Sequence, residues 1–132
     1  MQQTGLSEVL ALEISSYNIT ALLVEPGAFR TNFFAAFTTP ESQAHQSEYP
    51  VVEQTLEKFK AASGNQPGDP AKAAARIVEV VTGEGIAGSL KGKVLRLPLG
   101  NDCVERYEDK LQSMNKDLEM AREVAGSTGF EA

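Results

Sequence analysis

Ile19-Thr20-Ala21-Leu22-Leu23-Val24-Glu25-Pro26-Gly27-Ala28-Phe29-Arg30-Thr31 is an apolar run that stops on a Pro-Gly turn and is followed by a threonine. From Ile19 to Glu25 there is little alternation of apolar with polar residues, the pattern of a parallel strand covered on both faces. Open α/β sheets bind ligands beyond the carboxyl ends of their strands, which makes the turn the first place to look for a site. Only 18 residues precede the strand, leaving little room for other strands ahead of it. The turn therefore reads as part of a site rather than the whole of one.

Upstream of the strand, Leu6, Val9, Leu10, Ile14 and Tyr17 recur at helical spacing with Ser7, Glu8, Glu13 and Ser15 between them, which predicts an amphipathic helix over 5–17. Asn18 suits the stop, because asparagine tolerates the left-handed conformation. Downstream, Phe29, Phe33, Phe34 and Phe37 crowd together before a polar stretch from Thr39 to Pro50, and Val52, Leu56 and Phe59 then mark a short helix. The segment 32–62 reads as a loop with an apolar base followed by that helix.

Asp69-Pro70 is a strong helix start, with Asp69 as N-cap and Pro70 at the first helical position where no donor is lost. It opens a helix over 70–82 that closes at Gly83. A second strand is expected over 92–98, with Pro98 at a sheet edge or bulge because proline cannot donate to a ladder. Strand, helices and strand then form a parallel crossover unit. A last helix over 102–124 carries an apolar stripe at Val104, Tyr107, Leu111, Met114, Leu118, Ala121 and Ala125. The stripe is expected to dock on the chain's own core, with a partner helix as the alternative.

Composition narrows the function classes. The chain has 132 residues, 42% hydrophobic, with 12 basic against 18 acidic side chains and a net charge of -6, which suits one globular domain or part of one. Scattered basic residues in an acidic chain do not build a phosphate-backbone footprint, so no nucleic-acid partner is expected. No apolar run reaches the roughly 20 residues of a membrane span, so no membrane partner is expected either. The single cysteine, Cys103, cannot form an internal disulfide, which fits a reducing compartment and a cytoplasmic location.

Other chemistries lack their parts. No Gly-x-Gly-x-x-Gly or P-loop pattern is present, and the glycines at 83, 85, 88 and 92 follow a helix and precede a strand, the reverse of the dinucleotide order. His45 is the only histidine and lies in the polar loop, so no metal site is expected. Cys103, without a second cysteine or an evident base, reads as a structural thiol.

With these elements in place, Gly5-Leu6-Ser7-Glu8-Val9-Leu10, Asn18 to Thr31, Gly68-Asp69-Pro70-Ala71-Lys72-Ala73-Ala74 and Leu95-Arg96-Leu97-Pro98-Leu99-Gly100 together resemble the C-terminal half of a short-chain dehydrogenase/reductase. The most specific element is Val24-Glu25-Pro26-Gly27-Ala28-Phe29-Arg30-Thr31, which resembles the family's segment closing over the nicotinamide. The resemblance implies an α/β chain, the C-terminal portion of a Rossmann-like doubly wound fold with two parallel strands and about four helices. It also implies NADP or NAD as cofactor and a small-molecule carbonyl or alcohol as substrate. Carried over, Pro26 and Gly27 shape the turn, the Phe29 backbone meets the carboxamide, and the Thr31 hydroxyl bonds the carboxamide or pyrophosphate. A helix-capping role is the other reading of Thr31. Phe33, Phe34 and Phe37 belong to the substrate lid, either packing it or lining an apolar pocket.

The same resemblance implies that the phosphate-binding loop, the catalytic serine and the Tyr-x-x-x-Lys pair lie ahead of Met1, with the lysine just before it. None of Tyr17, Tyr49 and Tyr107 has a lysine four residues on, so no catalytic residue is assigned within the chain. Two functions follow as expectations. The first is an NAD(P)-linked oxidoreductase that is not competent alone, a truncated or split enzyme. The second is a non-catalytic remnant that binds or regulates another chain. Because two strands leave hydrogen-bonding edges unpaired, self-association or pairing with a partner chain is expected at the exposed strand edge.

Overall fold

The computed structural model of the chain describes residues 2–33, 36 and 50–130. Helix α1 (Gln2–Ser15) is followed by strand β1 (Leu23–Pro26), helices α2 (Pro50–Ala62) and α3 (Pro70–Thr82), a 3-10 turn at Gly88–Leu90, strand β2 (Arg96–Leu99) and helix α4 (Asn101–Gly126). The two strands pair in parallel, from Leu23 opposite Arg96 to Pro26 opposite Leu99. Two parallel strands joined through α2 and α3, with four helices among the described residues, make the chain a Rossmann-like α/β unit.

Local chemistry explains the best-formed crossover element. The Asp69 side chain accepts from the backbone N–H groups of Ala71 (2.9 Å) and Lys72 (3.3 Å), satisfying two donors that the helix cannot reach. At the other end of α3, Gly83 takes a left-handed φ of 84° and returns its N–H to the Glu79 carbonyl. The chain then folds back so closely that a Cβ on Gly88 would overlap the Gly83 backbone. Glu79 secures the return by accepting from the Ala87 N–H at 3.0 Å. Val80, Ala87 and Leu97 form the buried core behind this corner, with Leu22, Ile77, Leu90 and Leu99 packed against it.

Several elements depart from the bounds their residue patterns predict. β1 begins at Leu23, not Ile19, because Lys91 and Lys93 direct their N–H groups back to Gly88 and Leu90 and leave no extended neighbour for residues 19–22. For the same reason β2 starts at Arg96 rather than at 92, its first bond being Leu23 N–H to the Leu95 carbonyl at 2.7 Å. α1 ends at Ser15, two residues short of Tyr17, and Asn18 stands beyond it with a left-handed φ of 57°. α4 runs from Asn101 to Gly126 and is longer at both ends than 102–124.

The α4 stripe is a correction of substance. Cys103 is buried and Tyr107 half-buried, but from residue 108 onward the helix is exposed, with Leu111 and Leu118 more than half accessible. The stripe does not dock on the core formed by the described residues, because the helix leaves the strands after its first two turns. α1 is similar: Leu6, Val9 and Leu10 stay exposed, while a Glu8–Arg96 ion pair at 2.6 Å ties the helix to β2. No helix among the described residues is long and apolar enough to cross a membrane.

Replacing Asp69 by Ala is expected to cost about 1 kcal/mol through loss of the N-cap. Gly88→Ala should cost more, because its new methyl meets backbone rather than a side chain able to swing aside. Shifts in the urea midpoint would rank the two; an Asp69→Ala change larger than that of Gly88→Ala would contradict this account.

Candidate functional site

The turn after β1 is held from three directions. Its Gly27 N–H donates to the Leu99 carbonyl at 2.8 Å, which carries the parallel ladder one residue past the strand. The Ala28 N–H donates to Asp102 Oδ2 at 2.8 Å, a carboxylate in the first turn of α4. Beyond it, Phe29 and Gly68 form an isolated parallel bridge, in which Gly68 N–H donates to the Ala28 carbonyl at 3.0 Å and Arg30 N–H donates to the Gly68 carbonyl at 2.9 Å.

Two glycines make these approaches possible. A Cβ on Gly27 would overlap the Asp102 carboxylate. At Gly68 it would lie 2.8 Å from the Ala28 carbonyl oxygen and against the Phe29 ring. The Pro-Gly turn therefore needs glycine for the space beside its α-carbon, since Gly27 is absent from the positive-φ residues.

The bridge commits the neighbours of Phe29 and leaves Phe29 itself over. Bonds to Gly68 come from Ala28 and Arg30, so the Phe29 N–H and C=O point to the opposite side, as alternate residues do in an extended chain. Neither group has a partner among the described residues. One donor and one acceptor side by side match the two polar groups of a primary carboxamide.

The remaining turn residues are placed as follows. Pro26 is the last residue of β1. Thr31 is exposed, and its Oγ1 accepts from the Phe33 N–H at 3.3 Å, which leaves the hydroxyl proton free to donate outward. Phe33 is 70% accessible and lies on the outer side of the turn; Phe34 and Phe37, like His45 and Tyr49, lie outside the described residues. Arg30 directs Nε and Nη2 to the backbone carbonyl of Gln66 at 3.3 and 3.1 Å, bracing the turn against the loop before α3.

Residues around the turn that motif reasoning did not single out are Asp102, Gln66, Gly68 and Glu25. Asp102 lies 74 positions from Ala28 in sequence, and a first-turn acid on a helix is too common to flag. Gln66 is the most buried polar residue, and its side-chain amide has no partner among the described residues. Glu25 takes the Tyr107 hydroxyl on its carboxylate and the Cys103 thiol on its carbonyl, the latter at 3.1 Å. Cys103 is thus a buried structural thiol and Tyr107 a strand-to-helix tie. A shallow groove of about 330 Å³ opens between the end of α1 and Gly92–Leu95, at the amino end of the strands and away from the turn.

The turn lies at the carboxyl end of a parallel strand in an α/β chain, and comparison with known proteins indicates the class. No protein-family model matches the chain. It is 32% identical over 123 residues to Oxidoreductase BOA17 of Botryotinia fuckeliana strain B05.10, a match covering 92% of this chain and 41% of that protein. A short-chain dehydrogenase from Streptomyces avermitilis, known from a crystal structure, superposes with a TM-score of 0.66 at 37% identity, over 96% of this chain and 42% of the other. In sequence and fold the chain is similar to a C-terminal portion of a short-chain dehydrogenase/reductase. It spans about two-fifths of the length of each of these two proteins.

Gly68→Ala is expected to break the Phe29–Gly68 bridge, because the added methyl meets the Ala28 carbonyl. Amide hydrogen exchange would report this as faster exchange at Arg30 and at residue 68 with α3 unchanged. Unaltered protection at both positions would mean that the bridge is not what holds the turn.

Proposed function

We propose that the chain forms the nicotinamide-side part of an NAD(P)-linked oxidoreductase acting on a small-molecule carbonyl or alcohol. The observation that carries this reading is that the N–H and C=O of Phe29 have no partner among the described residues, while the N–H and C=O of Ala28 and the N–H of Arg30 are held. A bound nicotinamide supplies hydride chemistry; the residues of this chain bind and orient it. Phe29 takes the carboxamide through its main chain, Pro26 and Gly27 shape the turn, and the Thr31 hydroxyl donates to the carboxamide or pyrophosphate. Phe33 belongs to the substrate lid, as the resemblance implies also for Phe34 and Phe37, which lie outside the described residues.

The chain does not act alone in this reading. No glycine-rich phosphate loop is present in its sequence, and no tyrosine is followed by a lysine four residues on. Tyr107 does not replace that pair, since its hydroxyl is bound to Glu25. The missing groups come from a further polypeptide segment that adds a parallel strand to the outer edge of β1, which has no partner strand among the described residues. Leu23 and Gly27 direct their N–H groups to β2, so Val24 between them presents its N–H and C=O to the outer edge. That unpaired edge also supports a second reading, in which the chain is a non-catalytic partner that pairs there with itself or with a related enzyme.

Titration with NADPH and NADH, by fluorescence or calorimetry, distinguishes the readings when performed on the chain alone and mixed with the N-terminal part of the Streptomyces avermitilis dehydrogenase. Binding only in the mixture, with turnover of a ketone or alcohol panel, is expected. Association without nucleotide binding would favour the non-catalytic partner. Val24→Pro removes the outward N–H and should abolish association in sedimentation; persistence of the complex would place the contact elsewhere.

A further inference from the structure

We infer that Asp102 is a positioning residue for the turn: its carboxylate, acting through Ala28, holds the Phe29 main chain in the orientation that presents its N–H and C=O to a ligand. This rests on the function proposed above for the turn and adds a residue that touches neither cofactor nor substrate.

Three observations converge on Asp102. Its Oδ2 accepts the Ala28 N–H at 2.8 Å, and a hydrogen bond to a carboxylate is stronger than one between neutral groups. Two of the backbone segments beside the carboxylate are glycine: Gly27, whose Cβ would overlap it, and Gly100, whose Cβ would stand 2.8 Å from Oδ1 at a left-handed φ of 97°. The carboxylate therefore sits in a slot that any side chain at either position would fill. Finally, Asp102 is the acid of the first turn of α4, and the N-cap residue Gly100 offers no side chain to that turn. An acid there suits the helix dipole, and here its hydrogen bond is made to the turn after β1.

Ala28 is consequently gripped at both ends, its N–H by Asp102 and its C=O by Gly68. With Arg30 N–H also taken, the peptide groups of Phe29 have one orientation available. Arg106, 3.7 Å from Oδ2 and largely exposed, adds little to the arrangement.

The test uses the full chain with Asp102→Ala, Asp102→Asn and Gly27→Ala, each checked for fold by far-ultraviolet circular dichroism. Amide spectra report the clamp without any ligand. Asp102→Ala should move the Ala28 and Phe29 resonances and speed Ala28 exchange by about tenfold, the scale of a lost hydrogen bond to a charged group. Asp102→Asn, which keeps an acceptor oxygen, should restore most of the protection, and Gly27→Ala should resemble Asp102→Ala by expelling the carboxylate. In the nucleotide-binding mixture, Asp102→Ala should weaken NADPH or NADH affinity by about tenfold and Asp102→Asn by much less. Unchanged Ala28 and Phe29 amides in Asp102→Ala would overturn the inference, as would a full loss in Asp102→Asn. If the mixture made with the unsubstituted chain binds neither nucleotide, the cofactor reading of the turn falls, while the amide spectra still decide whether Asp102 sets the Phe29 orientation.

Discussion

The parallel ladder between β1 and β2 is the constraint from which the remaining geometry follows. It is four residue pairs long, yet it brings the carboxyl ends of both strands together and delivers two chain segments to one place. After Pro26 the chain must turn; after Leu99 it enters α4 within two residues. The turn and the first turn of α4 are therefore neighbours by topology, and the Gly27–Leu99, Ala28–Asp102 and Cys103–Glu25 hydrogen bonds are local consequences of that placement.

Around this ladder the packing is lopsided. The corner formed by α3, the 3-10 turn and β2 is well made, capped at both ends and backed by Val80, Ala87 and Leu97. On the other side, α1 and most of α4 present leucine, valine and methionine side chains to solvent. Apolar faces of that kind contribute to stability only when covered. The chain spans about two-fifths of the length of the two proteins named above, and the exposed apolar faces, with a β1 edge that has no partner strand among the described residues, agree with the proposal that a further segment completes the unit.

Much of the local structure was legible from residue patterns because it depends on near neighbours. Asp69-Pro70 and Gly83 delimit α3 through capping chemistry written in adjacent residues. Asn18 stands in the left-handed conformation that its side chain tolerates. The strands were harder to bound, since a strand exists only where another segment lies alongside. Ile19 to Leu22 are as apolar as the residues that follow, but the segment opposite them turns back on itself, so β1 is shorter than its sequence suggests. The α4 stripe misled for a related reason: periodicity shows which face of a helix is apolar, not whether anything covers it.

The sequence by itself determined the α/β order, both ends of α3, and the Pro26-Gly27 turn with Phe29 and Thr31 beyond it, because all of these rest on short-range sterics and capping. Only the tertiary structure decided why residue 27 is glycine, which groups of the turn are committed, and which have no partner among the described residues. Those answers depend on Asp102 and Gly68, residues 75 and 41 positions from Gly27. Contacts at such separations arise from the pairing of β1 with β2 and from the packing of the loop before α3, and no local pattern records them.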